Sequence, residues 1–234
     1  MQTPRLDQQP TIFAIPPLEN GDRLSREEFE RRYAAMPASC KAQLVEGIVY
    51  MAAALRFRSH GKPHSQLNTW LTTYQVFTLG VEIADAATVR LDGDNEPQPD
   101  VVLLIDPKAG GQVSLSDDDY IEGAPELLAE ISASSVSIDS MLKKSVYERK
   151  GVQEYIVWRV LDQALDWFWL EHDKYVNLLP DADGITRSRQ FPGLWLDRAA
   201  LLDGNMQQVL AVLQAGLASS EHQAFGSCLQ AKLS

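Results

Sequence analysis

Hydrophobic and polar positions along this chain switch between two periods, and each switch marks an element. The run QLVEGIVYM over 43–51 is apolar and β-branched, which predicts a strand. Residues 64–79 then carry Leu67, Trp70, Leu71, Tyr74 and Val76 near the helical spacing, which predicts a helix. Strands are predicted over 81–91 and 100–105, divided by the turn-rich Asp92-Gly-Asp-Asn-Glu-Pro-Gln-Pro99, and over 126–132 (ELLAEIS). A helix over 135–150 follows, with Gly151 where a C′ glycine belongs. Next come strands over 154–160, 165–171 and 175–179, which look like an antiparallel meander. Near the start, Ser25-Arg-Glu-Glu28 has capping-box spacing and predicts a helix over 25–33, ended by Pro37. Near the end, a short helix at Asp197 and an amphipathic helix over 205–217 are expected, while residues 1–22, with Pro4, Pro10, Pro16 and Pro17, read as an irregular arm. Strands alternating with helices predict the α/β class, one sheet with helices packed on it.

Composition changes this picture little. At 234 residues and 26.0 kDa, with 45% hydrophobic residues, the chain suits one large domain able to bury about 70% of its unfolded surface. No apolar run approaches membrane-spanning length and the first residues lack a secretory pattern, so a soluble, cytoplasmic protein is expected. Cys40 and Cys228 lack the spacing of a zinc site or disulfide framework and are expected to be buried, inert thiols.

Charge is more informative. The net charge is −11, and residues 61–140, with 14 acidic against 3 basic residues, account for the whole of it. This is not the basic footprint of a protein that grips nucleic acid by bulk electrostatics. Most of these acids, the Asp117-Asp118-Asp119 run above all, read as solvated surface, but a few acids gathered together are also what a hard divalent cation needs.

Three residues could do that chemistry: Asp100 opening one predicted strand, Glu130 inside the next, and Lys143 on the following helix. Carboxylates on neighbouring strands can close on one Mg²⁺, and a lysine at its edge can orient water or neutralise charge on a phosphate. The parts match metal-assisted phosphodiester hydrolysis. Each also has a plainer explanation. An aspartate after Pro99 often makes only a local backbone hydrogen bond, and Lys143 follows Asp139 at ion-pair spacing, as Glu148 follows Lys144. Glu130 resists this, because its neighbours Leu127, Leu128 and Ile131 are apolar and ionised carboxylates are seldom buried unpaired. On a helical wheel Lys143 falls on the flank of the apolar stripe and Lys144 on the solvent side. His60 and His64 have the i,i+4 spacing of a zinc pair, but Gly61 and Pro63 are expected to interrupt their helix. Trp158, Trp167, Phe168 and Trp169 are expected to form core or a subunit interface rather than a base-stacking platform.

Taken in order, Pro99-Asp100-Val-Val102, then Glu122-Gly-Ala-Pro-Glu-Leu-Leu-Ala-Glu130-Ile-Ser132, then Lys143 through Tyr147-Glu-Arg-Lys-Gly151-Val-Gln-Glu-Tyr-Ile156 resemble the Uma family of restriction-endonuclease-like proteins, in the PD-(D/E)XK nuclease superfamily. The resemblance extends to Leu44-Val-Glu-Gly47, His64-Ser-Gln66 and Phe191-Pro-Gly-Leu-Trp-Leu-Asp197. It implies a restriction-endonuclease-like fold, a central mixed sheet flanked by helices, over 23–205, with a C-terminal helix and tail over 206–234. It implies Asp100 and Glu130 as metal ligands for Mg²⁺ or Mn²⁺. It also implies that the motif lysine, whose usual place is taken by Ser132, has moved to Lys143. Glu46 and His64 are secondary candidates; Gln43 and Ile48 stand where the family often has acids. The implied activity is endonucleolytic cleavage of DNA, bound weakly without metal, by a homodimer. The alternative is a catalytically silent scaffold or binding module of the same fold.

Overall fold

The computed structural model describes residues 15–52, 54–133 and 138–234, with the backbone alone for 138–140. In chain order its strands are β1 Ala42–Val45, β2 Ile48–Met51, β3 Val81–Asp85, β4 Val89–Arg90, β5 Val101–Ile105, β6 Ser114–Leu115, β7 Ile121–Glu122, β8 Leu127–Ser132, β9 Glu154–Arg159, β10 Ala164–Glu171, β11 Lys174–Asn177, β12 Ile185–Arg187 and β13 Trp195–Asp197. The helices are α1 Arg26–Tyr33, α2 Lys62–Val76, α3 Lys144–Lys150, α4 Arg198–Leu202, α5 Met206–Leu217 and α6 Ser220–Leu233; π-helical turns at Phe57–Gly61 and Ile138–Lys143 lead into α2 and α3.

A six-stranded mixed sheet in the order β11-β10-β9-β8-β5-β3 forms the centre, as the alternating pattern predicts. Only the β8–β9 pair in it is parallel, which calls for a crossover, and the segment ending in α3 provides it. β5 (VVLLI) and β8 (LLAEIS) are buried at every position, because helices cover both faces of the sheet. On one face Leu103, Ala129, Ile131 and Ile156 meet Leu67, Trp70, Leu71 and Tyr74 of α2, Val209 and Leu213 of α5 and Leu229 of α6. On the other, Val102, Leu104, Leu128 and Val157 pack with Val146 and Tyr147 of α3. The meander β9-β10-β11 is antiparallel, with Trp158 and Trp167 inside the first core and Phe168 beside Tyr155 and Tyr175 on the other face. These aromatics serve the core.

Several boundaries differ from the sequence expectations for identifiable reasons. The strand over 43–51 is a hairpin, since Glu46 and Gly47 both take positive φ, 54° and 68°, in a two-residue turn. The strand over 81–91 breaks at Ala86, after which β4 leaves the central sheet to pair with β7. The helix over 135–150 starts as a π turn, and residues 134–137 lie outside the described ones. Lys144 is not on the solvent side; its ammonium sits 4.2 Å over the Phe168 ring, and Glu148 pairs with Lys174 instead. α6 carries the tail through Leu233 behind a Ser219 cap. Cys40 is half-buried and Cys228 exposed, so the expectation of buried thiols fails for both. The N-terminal arm lies outside the described residues up to position 14. No helix is long and apolar enough to cross a membrane among the described residues.

Candidate active site

β5 and β8 run antiparallel with Val101 opposite Ala129 and Val102 opposite Leu128. One more step in that register sets Asp100 opposite Glu130, where directly opposed Cβ atoms are about 4.5–5.5 Å apart. Alternation along β8 directs the Glu130 carboxylate to the α3 face, since Leu128 packs there, and the same alternation carried one residue back from β5 would give Asp100 the side of Val102 and Leu104. Like charges so placed repel, and each is answered by its own donors.

Glu130 is met from α3. Lys143 donates through Nζ to Glu130 Oε1 at 2.7 Å, and the Tyr147 hydroxyl donates to the same oxygen at 3.2 Å. Lys143 is 2% exposed and Glu130 4%, a burial that both charges tolerate because they are paired. A wheel of α period favours Lys143 over Lys144 only as a flank position. The π turn has a wider period, and it aims Lys143 inward rather than along a flank.

Asp100 stands just before β5 begins, so β8 runs on past its partner and the Ile131 N–H has no strand acceptor there; it donates to Asp100 Oδ2 at 2.7 Å. His60 Nε2 lies 3.1 Å from Asp100 Oδ1. Burial pushes the Asp100 carboxyl up, but the His60 and Ile131 hydrogen bonds and the two nearby imidazoles outweigh it and hold the carboxyl below its ordinary range. His64 Nε2 lies 3.1 Å from the Asp100 carbonyl oxygen and 2.8 Å from Asp85 Oδ1. Both neighbours are acceptors, so this nitrogen carries the proton.

The expected interruption at Gly61 and Pro63 does not occur. Pro63 occupies the first turn of α2, where a missing N–H costs nothing, and the π turn continues into α2. His60 and His64 therefore stand on one continuous segment, their rings 5.6 Å apart. Beside them an open groove of about 500 Å³ is lined by Gly61, His64, Ser65, Asn68, Thr69 and Asp85 among others.

Of the residues proposed from sequence, Lys143 meets Glu130 directly, Asp100 meets the N–H of Ile131, the residue after Glu130, and His64 meets the Asp100 carbonyl. Glu46 does not join them: on the hairpin turn, its carboxylate pairs with Arg149 on the exposed side of α3. Sequence reasoning passed over His60 as a partner of Asp100, although its i,i+4 spacing to His64 was the signal. It gave Tyr147 no role, although Tyr147 follows Lys143 by one helical turn.

Among the described residues no group of three or more His, Cys, Asp or Glu could hold a metal ion, the set on which a protein zinc site draws. The donor set is two opposed carboxylates. Next to them the Ser132 hydroxyl, on the Glu130 face of β8, is buried without a hydrogen-bond partner among the described residues. An ionised carboxylate offers about four lone-pair sites, so Asp100 keeps acceptor capacity beyond its two donors. Two carboxylates and a spare hydroxyl fit a cation that retains most of its waters, as Mg²⁺ does.

The fold is similar to that of a crystal structure of a putative nuclease belonging to DUF820 from Anabaena variabilis ATCC 29413, with a TM-score of 0.52 over 78% of this chain and 97% of that one. Identity is 10%, so the likeness concerns the fold. No curated protein sequence matches the chain. The family model described as Uma2, putative restriction endonuclease, matches residues 26–199, and the chain belongs to that family.

Proposed function

We propose that the chain is a Mg²⁺-dependent endonuclease that hydrolyses phosphodiester bonds of DNA, with Mn²⁺ able to replace Mg²⁺. The observation that carries this reading is Lys143 Nζ 2.7 Å from Glu130 on β8, with Asp100 Oδ2 accepting at 2.7 Å from the N–H of the next β8 residue, Ile131. Asp100 and Glu130 hold the cation, which when bound polarises the phosphate and makes water a better nucleophile. Lys143 orients the attacking water or neutralises charge developing on the phosphate. Tyr147 fixes the Glu130 carboxylate, and His60 fixes Asp100. In the reaction a water oxygen bonds to phosphorus while the bond from phosphorus to the leaving sugar oxygen breaks, and that oxygen takes up a proton. Cutting both strands calls for two sites, which a homodimer supplies.

The test is incubation of the purified chain with supercoiled plasmid in millimolar Mg²⁺, in Mn²⁺ and in EDTA. Nicked or linear DNA appearing only with metal, and lost in Asp100→Asn, is the expected result. A second reading, a catalytically silent module of the same fold, is favoured by the closed and almost fully buried Lys143–Glu130 pair. Plasmid left intact with both metals, together with a melting temperature that neither metal raises, decides for that reading.

A further inference from the structure

We infer that the continuous segment from Arg56 through α2 is a phosphate grip for duplex DNA, in which Arg56, Arg58 and Lys62 hold backbone phosphates beside the two carboxylates. The inference rests on the proposed nuclease function and assigns the substrate contacts that the carboxylate cluster lacks. Charge segregation is the first support. The chain carries 32 acidic against 21 basic residues, yet none of the acids lies between Glu46 and Glu82, the stretch that holds these three cations. Arg56, Arg58 and Lys62 are all exposed, and among the described residues none of them has a carboxylate partner. Arg31, Arg149, Arg159, Arg187 and Lys174, by contrast, each lie against a carboxylate of their own.

Position is the second support. His60 lies between Arg58 and Lys62 in sequence and reaches the Asp100 carboxylate, so the backbone that carries the cations is anchored to the proposed catalytic cluster while Arg58 and Lys62, about half a turn round from His60, face outward. Arg58 and Lys62 are four apart, and Phe57, 74% exposed, sits between the two arginines with its ring open to a sugar or base. Beyond them, Ser65, Asn68, Thr69, Thr72 and Thr73 repeat at i, i+3, i+4, i+7 and i+8, opposite the buried stripe Leu67, Trp70, Leu71 and Tyr74. These short uncharged side chains line the open groove and let a strand approach α2 closely; Asp85, at its border, is already engaged by His64. The whole protein repels DNA, so a local cation cluster at the site is what brings the scissile phosphate to the carboxylates.

The experiment measures binding of a fluorescent 24-base-pair duplex by anisotropy, in EDTA and at several salt concentrations, for wild type, Arg56→Gln/Arg58→Gln/Lys62→Gln, and Lys108→Gln/Lys232→Gln. The last variant removes charges at the far end of β5. Each exposed substitution should leave the melting temperature unchanged, which guards against misfolding. The triple variant is expected to bind at least about tenfold more weakly at low salt, with a log K against log salt slope shallower by about 0.9 for each phosphate that is no longer neutralised. The double variant should match wild type. Equal affinity and slope in the triple variant, an equal loss in the double variant, or no duplex binding by wild type would each overturn the grip. Plasmid cleavage read in parallel separates the two proposals: a triple variant that binds like wild type while wild type cleaves removes the grip alone, and a wild type that binds through these cations without cleaving removes the nuclease alone.

Discussion

Lys143 and Glu130 form an ion pair across the β8–α3 crossover, 2.7 Å from Nζ to Oε1, with side chains 2% and 5% exposed. Such a pair is costly to break from one side, because the remaining charge stays buried; removal of one partner typically costs about 3–5 kcal/mol. Lys143→Ala is therefore expected to destabilise the protein by roughly that amount and to abolish plasmid cleavage. The double variant Lys143→Met/Glu130→Leu should regain most of the stability and none of the cleavage. Chemical denaturation beside a cleavage assay checks this; a Lys143→Ala protein that is active when folded takes Lys143 out of the chemistry.

Asp100 is held in its ionised form by His60 and the Ile131 N–H, the form that the proposed cation requires. A ligand at a hundred times its Kd stabilises a protein by about 2.7 kcal/mol, which at this chain length corresponds to roughly 5–10 °C in melting temperature. Wild type is expected to show a rise of that order on Mg²⁺ titration, and Asp100→Asn to show none. An Asp100→Asn titration curve that overlays wild type would reassign Asp100 to capping the end of β8.

How far the sequence disclosed this site depends on the kind of signal each residue carries. Glu130 was legible because a charged residue inside an apolar strand violates the local pattern and calls for a partner, whereas Asp100 and Lys143, each with an ordinary local explanation, stood out only beside it and through the resemblance to the nuclease family. The β8–α3–β9 unit was legible from the switch between the two periods. His60 was not, because Pro63 reads as a helix breaker until its position in the first turn of α2 is known. The wheel set Lys143 only on a flank, because nothing in IDSMLK announces the π turn that carries it inward. Buried acids satisfied by distant loops were equally silent. Glu154 accepts from the Trp167 indole and from the backbone N–H groups of Arg189 and Gln190, partners brought near only by the folded meander and the turn after β12.

His60 is expected to act by positioning Asp100. His60→Ala should leave the fold intact, weaken the Mg²⁺-dependent rise in melting temperature, and lower kcat more than it raises KM for DNA. His60→Asn keeps a short donor and should recover part of both. A His60→Ala protein with an unchanged metal titration and unchanged kcat would show that the contact with Asp100 is only structural.

Glu96 is expected to give the fold a pH dependence of its own, separate from the proposed active site. It is 3% exposed; burial first, then the Glu30 carboxyl beside it, push its carboxyl from an ordinary 4.5 up to about 8, against the opposing pull of Arg90 and Arg26. The folded protein thus keeps a proton that the unfolded chain has released, so this contribution to stability is fully present below about pH 4.5 and is lost as the pH rises toward about 8. Glu96→Gln cannot lose that proton. Its melting temperature relative to wild type is expected to climb steadily between pH 5 and pH 8, by an amount on the order of a few kcal/mol in stability. Glu30→Gln should lessen the loss seen in wild type toward pH 8, because a charge that opposes ionisation of Glu96 is gone. A difference between Glu96→Gln and wild type that stays constant across this range would mean that Arg90 and Arg26 together hold Glu96 ionised throughout.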